Sequence, residues 1–523
     1  MLLQHTQLDS RAWQADLGNG TYRNPILYAD YSDPDVIRAG DDFYMTASSF
    51  CHIPGLPVLH SKDLVNWRLI GHALKRNPLP GYDRVRHGDG VWAPSIRFHN
   101  GRFWIYFGAP DEGIYMTTAF DPAGPWSPLH EVKAVKGWID PCPFWDDDGK
   151  AYLVHAFAKS RAGIKHMLMM HEMTPDGREL FGEGRIIFDG TGQHPTAEGP
   201  KMYKRNGYYY IFAPAGGVAT GWQIVLRSRK PFGPYEVRTM MHQGSTDVNG
   251  PHQGGYVELE NGESWFVHFQ DRDVYGRIVH LQPMQWIDDW PVIGEDKQGK
   301  GIGEPVSIWR KPNVKAQTEP SEPATSDDFT GDQLGLQWQW QANAQPEWHE
   351  LRDGHLRLYA VPMQQNNLYH VPHLLMQKFP APAFSAQVKL KLAADAAGDS
   401  AGLIVFGYRY ASLEVSRECD GRWLLRFIHG DGEKGMEEAV ESIFLTKPEL
   451  FLKVNVMEGG VCKFSWSHDG TRFETIGPSM IASKGHWVGA KVGLYAGNRK
   501  GMAGNGYAAF NDFLIAGINH PND

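Results

Sequence analysis

The stretch SDPDVIRAGDDFYMTASS, residues 32–49, carries the pattern from which the fold can be read: an acid and a proline, a short run into Gly40-Asp41, then an aromatic-rich return. Four more copies follow at regular intervals. They are VWAPSIRFHNGRFWIYFG from Val91, DPCPFWDDDGKAYLVHAFA from Asp140, EGPKMYKRNGYYYIFAPAG from Glu198 and GPHQGGYVELENGESWFVHF from Gly250. In these four the turn is Asn100-Gly101, Asp148-Gly149, Asn206-Gly207 or Asn261-Gly262, pairs that tolerate positive φ and predict two-residue hairpins. Further strand-like stretches, such as VLHSKDLVNWRLI (58–70) and WQIVLRSRKPFGPYEV (222–237), fill each repeat. A repeat of about 50–60 residues with four strands is a propeller blade. Five copies sharing a proline, a turn and an aromatic return argue against unrelated hairpins in a sandwich, and the lack of a sustained helical period argues against an α/β barrel.

The chain has 523 residues, more than one core usually spans, so two or three domains are expected. KPNVKAQTEPSEPATSDD, from Lys311, is rich in Pro, Ser, Thr and charge and reads as a connector. Alternating strands then return, among them HLRLYAV, FSAQVKLKL, FLKVNV and AAFNDFLIAG, which predict a two-sheet antiparallel sandwich. The expected fold is therefore all-β: a five-bladed β-propeller over 1–310, a connector over 311–326 and an antiparallel β-sandwich over 327–523.

Net charge is −9 and no long run of Lys or Arg occurs, which argues against a nucleic-acid partner and favours neutral substrates. Sugars fit, since 18 Trp and 21 Tyr offer ring faces beyond those the core consumes. Cys51, Cys142, Cys419 and Cys462 form no CxxC pair, so buried free thiols are expected rather than a zinc cluster or disulfide framework. The N-terminal residues 1–20 show no charged stretch followed by an apolar one, and no apolar run of about 18 residues occurs. No membrane partner is expected. A cytoplasmic location is the default, and a periplasmic or secreted one follows if a signal was removed.

In a propeller the first strand of each blade lines the axis, so residues opening successive repeats converge. With one residue of slack, that position reads Asp33, Trp92, Asp140, Glu198 and His252. Like charges forced together cannot all ionise, so at least one carboxyl should keep its proton. A protonated acid beside an ionised base is what glycoside hydrolysis needs; when the base activates water the carboxyls stand ~6.5–9.5 Å apart and the anomeric configuration inverts. The competing reading of each acid alone is a turn-former, and of the cluster a calcium site.

At these residues the chain resembles glycoside hydrolase family 43, the five-bladed-propeller β-xylosidases and α-L-arabinofuranosidases. NPILYADYSDPDVIRAGDDFYMTASSF with HSKDLVNW is similar to the family's first blade, VWAPSI to its second, WIDPCPFWDDDG to its third and AEGPKMYKRNGYYY to its fourth. DDFTGDQLGLQWQW from Asp327 is similar to the start of the jelly-roll, concanavalin-like sandwich of two-domain members. The resemblance implies Asp33 as general base, Glu198 as general acid and Asp140 as the residue that tunes and orients the acid. It implies that His252 holds a water or a calcium ion, a satisfied strand histidine being the alternative, and that no cofactor is otherwise required. It gives Arg277 a contact to a sugar hydroxyl or to the third acid, against a surface ion pair, and makes Phe50 and Trp92 walls of the sugar subsite, against plain core packing. Where xylosidase relatives read TFEWFPG this chain reads SFCHIPG, so Cys51, His52 and Ile53 are expected to alter the pocket wall.

The expected function is exo-acting, inverting release of a terminal pentose: xylose from β-1,4-xylo-oligosaccharides, or alternatively arabinofuranose from arabinoxylan or arabinan. The rivals are a non-catalytic sugar-binding propeller and a family-like enzyme cutting inside the chain. The sandwich could complete the pocket wall, bind polysaccharide or mediate homo-oligomer assembly, and the polar QQNN stretch at 364–367 is a candidate patch on it.

Overall fold

A computed structural model describes residues 12–316, 318–364 and 367–518. The first eleven residues of the N-terminal segment and the middle of the QQNN stretch lie outside them. Five four-stranded antiparallel sheets follow one another, each made of four consecutive strands. Their inner strands are Asp35–Ala39, Trp92–His99, Trp138–Trp145, Lys201–Arg205 and His252–Glu258. The inner strands of blades 1 and 5 pack together and close the ring. No strand is exchanged between blades; closure rests on the chain before blade 1. There Thr21–Arg23 pairs with Ile308–Arg310, Leu27 bridges Val279, and the Asn24 side chain accepts from Leu281 N–H at 2.8 Å. The expected five-bladed propeller is what the chain forms.

Asn100-Gly101 and Asn206-Gly207 are two-residue turns with both φ angles positive, as their residues predict. Asp148-Gly149 and Asn261-Gly262 differ, because only the glycine takes positive φ. The loop there is one residue longer, closed by Asp146 N–H to Lys150 O and Leu259 N–H to Glu263 O, both at 2.8 Å. The glycine ends a type I turn in place of completing a tight one.

Two sheets form the sandwich. One runs from Gln339–Trp340 to the edge strand Met436–Leu445, and the other is built round Phe384–Ala393 and Tyr507–Gly517. In Phe384–Ala393 and Glu449–Met457 buried residues alternate with part-exposed ones, the period of a strand with one face inward. Leu390, Leu403, Leu413, Leu452 and Phe510 meet between the sheets. The connector is held rather than free: Lys311 Nζ reaches Asp16 at 2.5 Å and Asp63 at 2.9 Å, and Ser321 N–H donates to Asn66 at 3.0 Å. All four cysteines are free thiols, and Cys419 alone is exposed. Among the described residues no helix is long and apolar enough to cross a membrane.

Candidate active site

The slack in the repeat has a structural cause. Asp33, Ala93, Asp140, Gly199 and Gln253, one per blade, all take positive φ, of 54°, 36°, 59°, 57° and 35°. Each of the first four stands before a proline and Gln253 before Gly254. The left-handed residue interrupts strand alternation, and the pairing register slips there in blades 2, 3 and 5. Asp33 and Asp140 occupy the kinked position itself, whereas Trp92, Glu198 and His252 precede it. Aspartate tolerates this backbone better than most residues.

The seven residues expected to act on, hold or contact the sugar, Asp33, Phe50, Trp92, Asp140, Glu198, His252 and Arg277, line one cavity of about 250 Å³. Thr196, Gln253 and Trp487 join them, and the repeat could not have shown Trp487, because it comes from the sandwich. Phe50 stands edge-on to Trp92 at 6.3 Å between ring centres and Trp92 to Trp487 at 6.1 Å, so three rings form one wall. Trp92 is fixed by its indole N–H to Gly88 O at 2.7 Å. Trp487 takes positive φ, 65°, a conformation that tertiary contacts must hold.

Asp33 is surrounded by donors. Ser48 Oγ donates to its Oδ2 at 2.6 Å and Ser32 Oγ at 3.0 Å, while Arg277 Nη1 lies 3.0 Å from Oδ1. Ser48 in turn accepts from Ala93 N–H at 2.7 Å, which ties the acid to blade 2. Arg277 is neither on the surface nor paired with the third acid: it is buried against Asp33 and also donates to Ser32 Oγ at 2.7 Å.

Glu198 and Asp140 face a different environment. Asp140 is 3 % exposed and accepts Gly199 N–H at 2.8 Å. Burial first, and then the charge of Glu198, push its carboxyl up to about 8; Asp33 adds to the rise, and Gly199 N–H and Lys201 oppose it. At neutral pH Asp140 therefore keeps its proton. Both acids line the cavity, and Glu198, with 26 % of its side chain exposed, is the more open of the two.

His252 Nε2 lies 3.0 Å from Glu198 Oε1. The calcium expected near it finds no support, because among the described residues no three His, Cys, Asp or Glu side chains gather to hold a metal. The expected change of wall at Cys51, His52 and Ile53 also falls elsewhere. None of the three lines the cavity; Ile53 pairs with Trp340 of the sandwich, and buried His52, its pKa pushed well down by desolvation, turns to Ser49 O. These substitutions belong to the propeller–sandwich contact.

An axial cavity with an aromatic wall, a carboxylate held by hydroxyls and a guanidinium, and a buried carboxyl that keeps its proton near a third acid defines the class: a glycoside hydrolase site. Comparison with known proteins agrees. The model for glycosyl hydrolases family 43 matches residues 22–291, and that for the β-xylosidase C-terminal concanavalin A-like domain matches 326–515. A Xylanibacter ruminicola protein bearing a β-xylosidase name is 44% identical over 492 residues, covering 93% of this chain and 88% of its own. A non-reducing-end α-L-arabinofuranosidase of Bacteroides ovatus is 33% identical over 422 residues, 75% of each chain. The crystal structure of a family 43 protein from Bacillus licheniformis superposes with a TM-score of 0.82 at 28% identity, covering 95% of this chain and 100% of the other.

This chain belongs to glycosyl hydrolase family 43. It is an O-glycoside hydrolase of the inverting type characteristic of that family, whose catalysis needs no cofactor.

Proposed function

We propose that the enzyme is exo-acting and releases a terminal pentose, with xylose from β-1,4-xylo-oligosaccharides as the main substrate and arabinofuranose as the second. In this reading Asp33 is the general base, Glu198 the general acid and Asp140 the modulator. Water held by Asp33 attacks the anomeric carbon and gives up a proton to Asp33, while Glu198 delivers a proton to the leaving oxygen. His252, against Glu198 Oε1, orients the acid, and Arg277 fixes the base. Phe50, Trp92 and Trp487 supply the ring faces against which one sugar packs.

The observation that carries the reading is the asymmetry of the carboxyls: one ringed by hydroxyls and a guanidinium, another buried within the field of Glu198 and keeping its proton. The wall that Trp487 adds favours a single terminal sugar over an open groove. The xylosidase name of the Xylanibacter relative favours xylose, and the arabinofuranosidase name of the Bacteroides relative supports the second substrate. NMR of products from xylobiose and from an arabinosylated xylo-oligomer tests all of this. Xylose appearing first with α-anomer in excess of the mixture contributed by the reducing-end unit is expected; internal fragments or an initial excess of β-xylose would overturn it.

A further inference from the structure

Asp30 does not line the cavity, yet it touches the residues that fix two of its sides. It is 4 % exposed and three residues ahead of Asp33. Its Oδ1 accepts Arg277 N–H at 2.9 Å, and its Oδ2 accepts Gly489 N–H at 2.9 Å. Arg277 is the residue whose guanidinium grips Asp33, and Gly489 lies two residues beyond Trp487. One carboxylate thus joins the support of the base to the sandwich loop that supplies the third ring.

The surroundings leave this junction little room to move. Gly276 takes φ of 70°, and a Cβ there would come within 2.5 Å of Asp30 Cγ and 2.6 Å of Gly489 N. A Cβ on Gly489 would meet Gly276 N at 2.6 Å. Ala490 N–H donates to Val274 O at 2.7 Å, Gly460 N–H to the Tyr275 hydroxyl at 3.2 Å, and that hydroxyl to Pro382 O at 2.9 Å. The blade-5 turn at 272–277 is seated in the sandwich backbone to backbone, with Asp30 bonded to both partners. Hydrogen bonds from backbone N–H to a buried carboxylate are among the stronger ones and are directional.

We propose that Asp30 is a positioning residue that sets the Arg277–Asp33 pair and the Trp487 ring in register with each other, so that the propeller's chemistry and the sandwich's wall are assembled by one side chain. The proposal rests on the reading of Asp33 as base and Trp487 as part of the sugar subsite. It makes the sandwich part of the active site through a defined linkage, beyond general domain contact.

The test is a double-mutant cycle on the full chain, with Asp30→Ala, Trp487→Ala and the double variant assayed on xylobiose and on nitrophenyl xyloside and arabinofuranoside. Asp30→Ala is expected to lower kcat/KM by about ten- to hundredfold, the range for loss of hydrogen bonds to a charged group. Part should be a rise in KM from the displaced ring and part a fall in kcat from the loosened base. In the Trp487→Ala background the KM part should vanish and the kcat part persist. Multiplying KM effects, or an Asp30→Ala enzyme with wild-type constants, would overturn the proposal.

Asp30→Asn keeps the volume and one acceptor oxygen, and it carries the same cycle if thermal unfolding shows that the alanine variant does not fold. Asp33→Asn, run in parallel, separates the two levels. If it turns over normally, the reading of the site fails and the Asp30 role with it; if it is inactive while the cycle is additive, only the Asp30 role fails.

Discussion

Asp33 and Asp140 occupy the same left-handed position in blades 1 and 3, each followed by proline, yet their surroundings diverge in what decides proton occupancy. Asp33 meets two serine hydroxyls and a guanidinium. Asp140 accepts one backbone N–H, and burial together with the charge of Glu198 raises its pKa to about 8. A repeat can therefore place acids of one kind at equivalent points, and their neighbours then assign them different work. Two donors come from blade 1 itself, Ser32 beside the acid and Ser48 from the return strand, and Arg277 comes from blade 5.

The largest expected effects come from removing either working carboxylate. Asp33→Asn and Glu198→Gln should each cost about 10²–10⁴-fold in kcat on xylobiose, the usual worth of a general acid or base, as measured by steady-state kinetics. A sugar-binding protein without chemistry would instead show no turnover in the parent chain.

Asp140→Asn sharpens the contrast by replacing the raised carboxyl with an amide that cannot titrate. Asp140 holds its proton below about pH 8 and loses it as the pH rises further, so activity should decline on the alkaline side. With asparagine there, the alkaline limb of kcat/KM should move to lower pH, and the rate at the optimum should fall by about ten- to hundredfold as orientation of the acid is lost. An unmoved limb would mean that Asp140 does not tune the acid.

Arg277→Lys keeps the positive charge beside Asp33, but a shorter side chain must stand in for the single Nη1 that reaches both Ser32 and Asp33. A loss of about tenfold in kcat with little change in the alkaline limb is expected, since this change touches only the base side. The smallest effect should come from His52→Gln. This residue lies at the propeller–sandwich contact, so kcat/KM should stay within about twofold while thermal stability falls, because a buried side chain and its bond to Ser49 O are disturbed.

The propeller and the three acids were legible because repetition turns sequence distance into spatial proximity: the proline-marked strand starts point to one axis whatever lies between them. The left-handed kink was not legible, since nothing in WAPS or HQGG announces a positive φ at Ala93 or Gln253. It was felt only as a residue of slack in the alignment of repeats.

Trp487 was hidden for a different reason. Its loop reaches the cavity through docking of two domains, and a single sequence holds no periodic signal for a contact between Gly276 and Gly489. The same blindness led Cys51, His52 and Ile53 to be read as pocket wall, since adjacency to Phe50 in sequence does not show on which side of the strand end they fall. The connector at 311–326 looked unstructured by composition, whereas its Lys311 is held between Asp16 and Asp63 by tertiary pairing.

The division of labour between the two sides is tested most directly by leaving-group dependence. Glu198→Ala and Asp33→Ala would be assayed on xylosides whose leaving groups run from an alcohol through nitrophenol to dinitrophenol. Rates for Glu198→Ala should climb towards the wild-type value as the leaving group needs less protonation, while Asp33→Ala stays slow throughout because its missing step is activation of water. The reverse pattern, with Asp33→Ala rescued by dinitrophenol and Glu198→Ala not, would contradict the assignment of acid and base.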